Sequence, residues 1–444
     1  MSTAATVGLG VVALCALFVI AAAMRAMPRT TFTIWSVVLF FVPVWIGQFV
    51  GSHLFFSAIT VVTLLAVAAL GRYIQPCIAD AFMVMLLVVV FFEFGLGLVG
   101  ISNAIPIVTE WLLFYIWGRL ILSVVDPRYI CGCLAICAMV AAALAVIESM
   151  TDTNFFMLMR SSNSLYSTWG SLQMRGGDLR AEGAWGHSIS LGAALAMSSP
   201  FILSAPWKPV LRILGLLLIA TGTVVTLSRI GMIALVLAVV LSVALLPAIS
   251  RMTRIAVVIL GCAAAVAMAP FVSTIFAEDD GEAATSATYR GDLFSLFRFV
   301  RLFGSARSFE GVTVAGHYLG NFASSTDNAI LLTGLRLGWV ALVIVCVVLI
   351  LAGTPVFMRN RVNPATISVV AVIPSLFTVA LITQFGMFFW FMIGLSVAWS
   401  RFARSRDTPA DAALRASFDD DTGAIPVGQG SARTLTRNSS LPRQ

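Results

Sequence analysis

From Ala277 to Asn328 the chain reads AEDDGEAATSATYRGDLFSLFRFVRLFGSARSFEGVTVAGHYLGNFASSTDN, its longest polar interval. Acids, arginines and a histidine crowd into it, whereas the whole sequence is 60% hydrophobic and only 11% charged, with a mean hydropathy of +1.00. A soluble chain carries about a quarter charged residues. Apolar runs recur on both sides of the interval, from Gly8 to Ser400. Each is long enough to cross a hydrocarbon core of roughly 30 Å. These features place the chain in one fold class, an all-α polytopic membrane protein.

Spans are expected near 7–24, 31–49, 53–70, 81–101, 105–124, 130–149, 187–204, 210–226, 230–249, 255–276, 329–352, 365–385 and 387–400, about 12–13 transmembrane helices. No basic residue precedes the first run, so it reads as a retained span rather than a cleaved signal. Connectors alternate in charge. Arg25, Arg29, Arg72, Arg119, Arg128, Lys208, Arg212, Arg251, Arg254, Arg359, Arg361, Arg401, Arg404 and Arg406 mark one side, which the positive-inside rule makes cytoplasmic. The two long loops, about 150–186 and 277–328, then face outward, as do all three histidines, His53, His187 and His317. Residues 1–400 read as the membrane domain and 401–444 as a disordered cytoplasmic tail, too poor in apolar residues to bury.

The net charge of +7 comes from 27 basic residues, of which only Lys208 is a lysine. In a soluble chain that balance would suggest nucleic acid; here membrane topology accounts for it, and no nucleic-acid partner is expected. The seven cysteines lie in or beside apolar spans, so no disulfides are expected. Cys131, Cys133 and Cys137 lack an accompanying histidine or acid at ligand spacing, and small packing residues are the better reading than a metal site.

Charge inside or beside the outer half of a membrane is scarce enough to mark candidate chemistry. Outer loop one closes with Arg180, Glu182, Gly183, Trp185, Gly186 and His187 as the chain re-enters a span. Either the charges converge on a ligand or they only keep a re-entry turn wet. Arg229 sits in a connector of barely one turn, Thr226-Leu-Ser-Arg229-Ile-Gly231, where something anionic must hold it, a ligand or a lipid phosphate. Arg290 to Phe303 reads as a partly amphipathic helix, its arginines at phosphate height. Membrane docking and phosphate binding both fit it. Glu93, Glu110 and Arg336 are intramembrane charges, with Arg336 roughly 12 Å below Asn328 on a helix. A structural pair between Arg336 and one glutamate is expected, with a direct substrate role as the alternative.

Three stretches resemble the O-antigen ligase and polysaccharide polymerase superfamily of bacterial inner membranes. They are Arg180-Ala-Glu-Gly-Ala-Trp-Gly-His-Ser-Ile-Ser-Leu-Gly192, Thr226-Leu-Ser-Arg229-Ile-Gly231, and Ser324-Ser-Thr-Asp327-Asn328 with Gly334 and Gly338 behind it. The resemblance runs from about residue 30 to 400. It implies a GT-C-like fold, a multi-pass location in the bacterial plasma membrane, and a glycan donor on undecaprenyl diphosphate. The donor is transferred to a glycan or lipid acceptor without metal or cofactor. Membrane lipids and other polysaccharide-export proteins are the further partners it brings. Arg229 and Arg290 correspond to donor-diphosphate arginines, and Arg180, His187, Asn328 and Arg336 complete the expected substrate-binding set. His317, Asp327 and Glu182 are the candidate bases. Ligases carry a histidine where this chain has Asp327, which favours a polymerase of exopolysaccharide or O-antigen-type repeats. A ligase, a lipid-linked glycan transporter or flippase, and an export-complex scaffold are the alternatives.

Overall fold

The computed structural model describes residues 18–51, 54–175, 177–277, 293–306, 313–314, 317–318 and 327–406. Calls that fall on His53, Arg290, the first seventeen residues and the tail beyond 406 lie outside them.

Helices dominate. They are α1 (18–26), α2 (Pro28–Phe41), α3 (Ala58–Leu70), α4 (Ile78–Gly95), α5 (Ile101–Ile121), α6 (Pro127–Thr151) and the short α7 (Ser164–Trp169). They continue with α8 (Ser188–Ser204), α9 (Pro209–Val225), α10 (Arg229–Leu245), α11 (Arg251–Ala277), α12 (Ala329–Gly353), α13 (Pro364–Val372) and α14 (Thr383–Arg406). By length and composition α4, α5, α6, α12 and α14 can each cross a membrane, and α3, α8, α9, α10 and α13 are shorter apolar helices. The small strands pair as antiparallel hairpins, β1 (Gly47–Val50) with β2 (Leu54–Ser57), β3 (Met174–Arg175) with β4 (Asp178–Leu179), and β5 (Thr313–Val314) with β6 (His317–Tyr318). The protein is an α-helical membrane protein, with apolar side chains such as Val88, Phe92 and Val236 left exposed on its flanks.

Three expected spans are corrected; the run 53–70 is helical only from Ala58, after β2. The run 31–49 is α2 followed by β1, because Pro43 forces Val42 out of helical geometry and into an extended conformation. The run 365–385 is a nine-residue α13 and a 3-10 turn, Ile373–Phe377, in which Pro374 cannot donate to an α-helical ladder. The next helix begins at Thr383 rather than after 385.

The core is organised on α8, buried on nearly every side and ringed by α6, α9, α10 and α13. Small residues permit this. A Cβ on Gly231 would stand 3.0 Å from the Cα of Gly192, so α8 and α10 cross with their backbones in contact. Gly118 of α5 and Gly394 of α14 make a second crossing, where a Cβ on either would strike a carbonyl of the opposite helix, Phe391 O or Tyr115 O. Trp35 fills the space above, its ring 4.4 Å from that of Phe391 and its Nε1 donating to Thr63 at 2.9 Å.

One end of the bundle is tied by arginines. Arg119 forks onto Asp80 (2.8 and 3.0 Å) and donates to the Gln75 carbonyl at 2.7 Å. Arg401 reaches the carbonyls of Gln75 and Pro76, Arg212 those of Leu203 and Trp207, and Arg254 those of Ile249 and Leu246. Arg212 and Arg254 thereby close carbonyls at two helix C-termini, Leu203 and Leu246, while Arg119 and Arg401 close loop carbonyls just ahead of α4. The opposite end holds the residues singled out above.

On that opposite side α12 is broken. Gly338 adopts φ 82°, interrupting the helix one turn below its buried first half. The segment 301–306 lies in the break. Trp339 N donates to Arg301 O (2.8 Å), Val340 N to Leu302 O (3.2 Å) and Ala306 N to Leu335 O (2.8 Å), while Ser305 Oγ donates to Arg336 O (2.8 Å). Every peptide group freed by a break inside a membrane needs such a partner. Within the described part of the amphipathic helix expected over Arg290–Phe303, the helical stretch is a six-residue 3-10 helix, Phe294–Phe299. Leu293, Leu296 and Val300 pack onto Leu331 and Leu335 of α12, while Phe294, Leu302 and Phe303 stay exposed.

Candidate functional site

Gly183 and Gly186 both have positive φ, 54° and 62°, so the loop into α8 turns twice in four residues. That turn aims the amides of Glu182 and Gly183 at the carboxylate of Glu148 in α6, at 3.0 and 2.9 Å. Asn154 closes the same loop by donating to Gly183 O at 3.0 Å. Glu182 itself is fully buried. Its Oε1 accepts from Gln173 N at 3.0 Å, while its Oε2 meets no hydrogen-bond donor among the described residues. Burial, reinforced by the neighbouring Glu148, pushes the Glu182 carboxyl up to about 8.

The glycine-paired crossing of α8 and α10 brings a second turn beside the first. Between α9 and α10, Leu227 sits in the left-handed region at φ 49°, an uncommon conformation for a bulky residue. Ser228 caps α10, its Oγ accepting from Gly231 N at 3.1 Å, and Arg229 is the first helical residue. Arg180 Nε donates to Thr226 O at 3.3 Å and Arg175 Nη1 to Leu227 O at 3.3 Å. Ala181 N completes the seam by donating to Val225 O at 3.1 Å. Three guanidiniums thus surround one turn, one of them on the positive end of a 17-residue helix where a cation is ordinarily disfavoured. Burial and the charge of Arg175 bring Arg180 down to about 10, so it stays cationic at neutral pH. His187 caps α8, its Nδ1 accepting from Ile189 N at 3.2 Å, and its ring meets that of Trp169 edge-on at 5.8 Å. In the neutral ring this leaves the proton on Nε2.

The start of α12 joins the same end. Asn328 caps it, Oδ1 accepting from Leu331 N at 2.9 Å, and its buried Nδ2 has no acceptor among the described residues. Ala329 N donates to Val379 O at 3.1 Å, and Gln384 at the head of α14 donates to Ala184 O at 3.0 Å. Asp327 is exposed immediately before the cap. Arg336 stands two residues above the break at Gly338, and its charge acts on Glu110. The two make no ion pair within 4.0 Å. Glu93 is not the partner. It is buried beside the Gly304 amide, with no well-formed hydrogen bond to either carboxylate oxygen among the described residues.

The structure therefore brings Arg180, Glu182, His187 and Arg229 together around two adjoining turns and ties Asn328 to the same end of the bundle. His317 pairs with Val314 in the β5–β6 hairpin. Three contributors had no flag in the sequence reading: Arg175, Glu148 and Gln384. Glu148 was visible by the criterion applied to Glu93, an acid near the end of an apolar run; Gln384 gives no such signal. Compared with family models and with curated proteins, the chain matches none.

Proposed function

We propose that the protein is a glycan polymerase of the bacterial plasma membrane, a metal-independent glycosyltransferase. It joins undecaprenyl-diphosphate-linked oligosaccharide repeats on the outer face. The observation that carries the reading is the cluster of Arg175, Arg180 and Arg229 around the N-terminus of α10. A diphosphate bound there would meet helix amides and planar guanidinium forks at once. In the reaction the acceptor hydroxyl attacks the anomeric carbon, the bond from that carbon to the diphosphate oxygen breaks, and the diphosphate departs with the electron pair. Arginines fixed beforehand stabilise that charge without reorganising. The hydroxyl proton passes to a base, for which Glu182, Asp327 and His317 are the candidates; Glu182, raised to about 8, serves as one only in its ionised form, which grows as pH rises toward 8. The resemblance of the three motifs supports the same class, and it is that resemblance which implies a GT-C-like fold. The arginine-tied end then faces the cytoplasm, with the C-terminus.

A broken helix is also a device of transporters, and Gly338 makes a lipid-linked glycan transporter the second reading. The experiment separates the two. Purified protein is given the undecaprenyl-diphosphate-linked repeat in detergent, where no second compartment exists. A polymerase lengthens the glycan, and Arg229→Lys cuts the rate about a hundredfold, whereas a transporter leaves the repeat unchanged.

A further inference from the structure

Beneath the β1–β2 hairpin lies a cavity of about 90 Å³ that none of the roles above uses. Glu110, Thr383, Ser57, Thr60 and Trp169 are among the residues that line it. Its walls carry two backbone irregularities. Glu110 lies in a π-helical turn, Ile107–Leu112, inside α5, and such turns gather at functional sites. Thr383 is a β-branched residue at φ 49°, a conformation that persists only where its surroundings enforce it. The Thr383 hydroxyl is buried and meets no partner among the described residues. Ser57 and Thr60 share one hydrogen bond at 2.8 Å, which uses only one of their two O–H donors. No hydrogen bond is recorded to the Glu110 carboxylate among the described residues, though Arg336 acts on its charge. The cavity is thus furnished with hydroxyl donors and acceptors and one carboxylate, flanked by an indole.

Charge narrows the ligand. Arg336 is not in the lining but its charge acts on Glu110, so a cation drawn to the carboxylate is opposed from behind it, and an anion would face Glu110 itself. A neutral group with several hydroxyls faces neither repulsion and can satisfy both the carboxylate and the hydroxyls. Size narrows it further. Water occupies about 30 Å³, so the cavity holds roughly three waters or one edge of a sugar ring, not the whole ring.

We infer that this cavity seats the hydroxyl-bearing edge of a neutral saccharide, with Glu110 accepting a hydrogen bond from one hydroxyl and the Ser57–Thr60 pair facing another. Trp169 flanks the apolar face of the ring. The inference rests on the glycan reading of the site and assigns it a sugar-recognition pocket apart from the arginine cluster.

Binding is tested on the purified full-length protein by saturation-transfer NMR with the methyl glycosides of glucose, galactose, mannose and N-acetylglucosamine. At least one should give a saturable signal. Thr60→Leu, which fills the cavity with apolar atoms, should weaken it at least tenfold, and Glu110→Gln should do the same, while Arg298→Lys leaves it unchanged. Should Glu110→Gln fail to fold because Arg336 loses its counter-charge, Thr60→Leu decides. No saturable signal from any glycoside, or equal signals from wild type and Thr60→Leu, overturns the pocket. So does methylammonium competing with the sugar, since that marks a cation site. A silent pocket in protein that still lengthens the lipid-linked glycan sinks this inference alone. Glycoside binding in protein that never lengthens it sinks the polymerase reading alone.

Discussion

Glu148 holds Glu182 in place: one carboxylate of α6 accepts the amides of Glu182 and Gly183, so an acid from the bundle core fixes the loop that carries another. The arrangement is costly in isolation, because two carboxylates share a buried site. It is tolerated because the amides supply donors to one and protonation relieves the other.

A pH dependence follows. The carboxyl of Glu182 is raised to about 8 in the folded protein, against an unfolded value near 4.3. The folded state then binds more protons than the unfolded state between those values. Stability contributed by this group is full below about 4.3 and declines toward pH 8, by at most about 1.4 kcal/mol per pH unit. The thermal midpoint of the purified protein should fall between pH 5 and 8, and Glu182→Gln should flatten that slope. An unchanged slope in the variant would assign the titration to another group.

Arg336 and Glu110 act on each other's charge without a direct ion pair, and Glu93 is no partner of Arg336. Removing one of two opposed buried charges costs more than removing both. Arg336→Ala should lower the yield of folded protein, with partial recovery in Arg336→Ala/Glu110→Gln and none in Arg336→Ala/Glu93→Gln. Size-exclusion profiles of the three variants check the order. Recovery through Glu93 instead would reassign the couple.

The α5–α14 crossing has no room for a methyl group. Gly118→Ala directs a Cβ into Phe391 O, with backbone rather than a yielding side chain in the way. The expected loss is about 1–3 kcal/mol, toward the upper end because backbone cannot yield. Gly132→Ala on α6, where a Cβ meets nothing within 4 Å, should be neutral in the same unfolding assay.

Orientation in the membrane is checked by reporter fusions. Fusions at Ser167 and Ala284 should report an extracytoplasmic position and one at Ala432 a cytoplasmic position, as the positive-inside rule directs. A cytoplasmic signal at Ala284 would put the lipid-linked donor on the wrong side for the proposed reaction.

Much of the helical layout was legible because long apolar runs leave few alternatives. The motif glycines were legible as motifs, and Gly192 and Gly231 prove to be the two sides of one helix contact. What escaped is local geometry. Val42-Pro43 breaks an apolar run that hydropathy alone carries straight through. Whether Arg336 meets Glu93 or Glu110 depends on helix rotation, and the π turn at 107–112 shifts the phase of α5 by a residue that no 3.6-residue wheel contains. The strain at Leu227 and Thr383 has no compositional signature, since neither residue type advertises a left-handed backbone. The division of labour among arginines was only half visible: charge alternation separates the two ends, but contacts show Arg119, Arg212, Arg254 and Arg401 bound to carboxylate or carbonyl groups.

The break at Gly338 also sets the mechanics of the long polar interval. Residues 301–306 are stitched to α12 by main-chain bonds on both sides of the break and to the α4–α5 turn through Ser305 N and Leu98 O, 2.9 Å apart. Lifting that stem would bare several peptide groups to hydrocarbon together, at several kcal/mol each. A pull on the stem is therefore borne at Ala306, where the main-chain bond to Leu335 passes the load into α12 instead of parting one bond at a time.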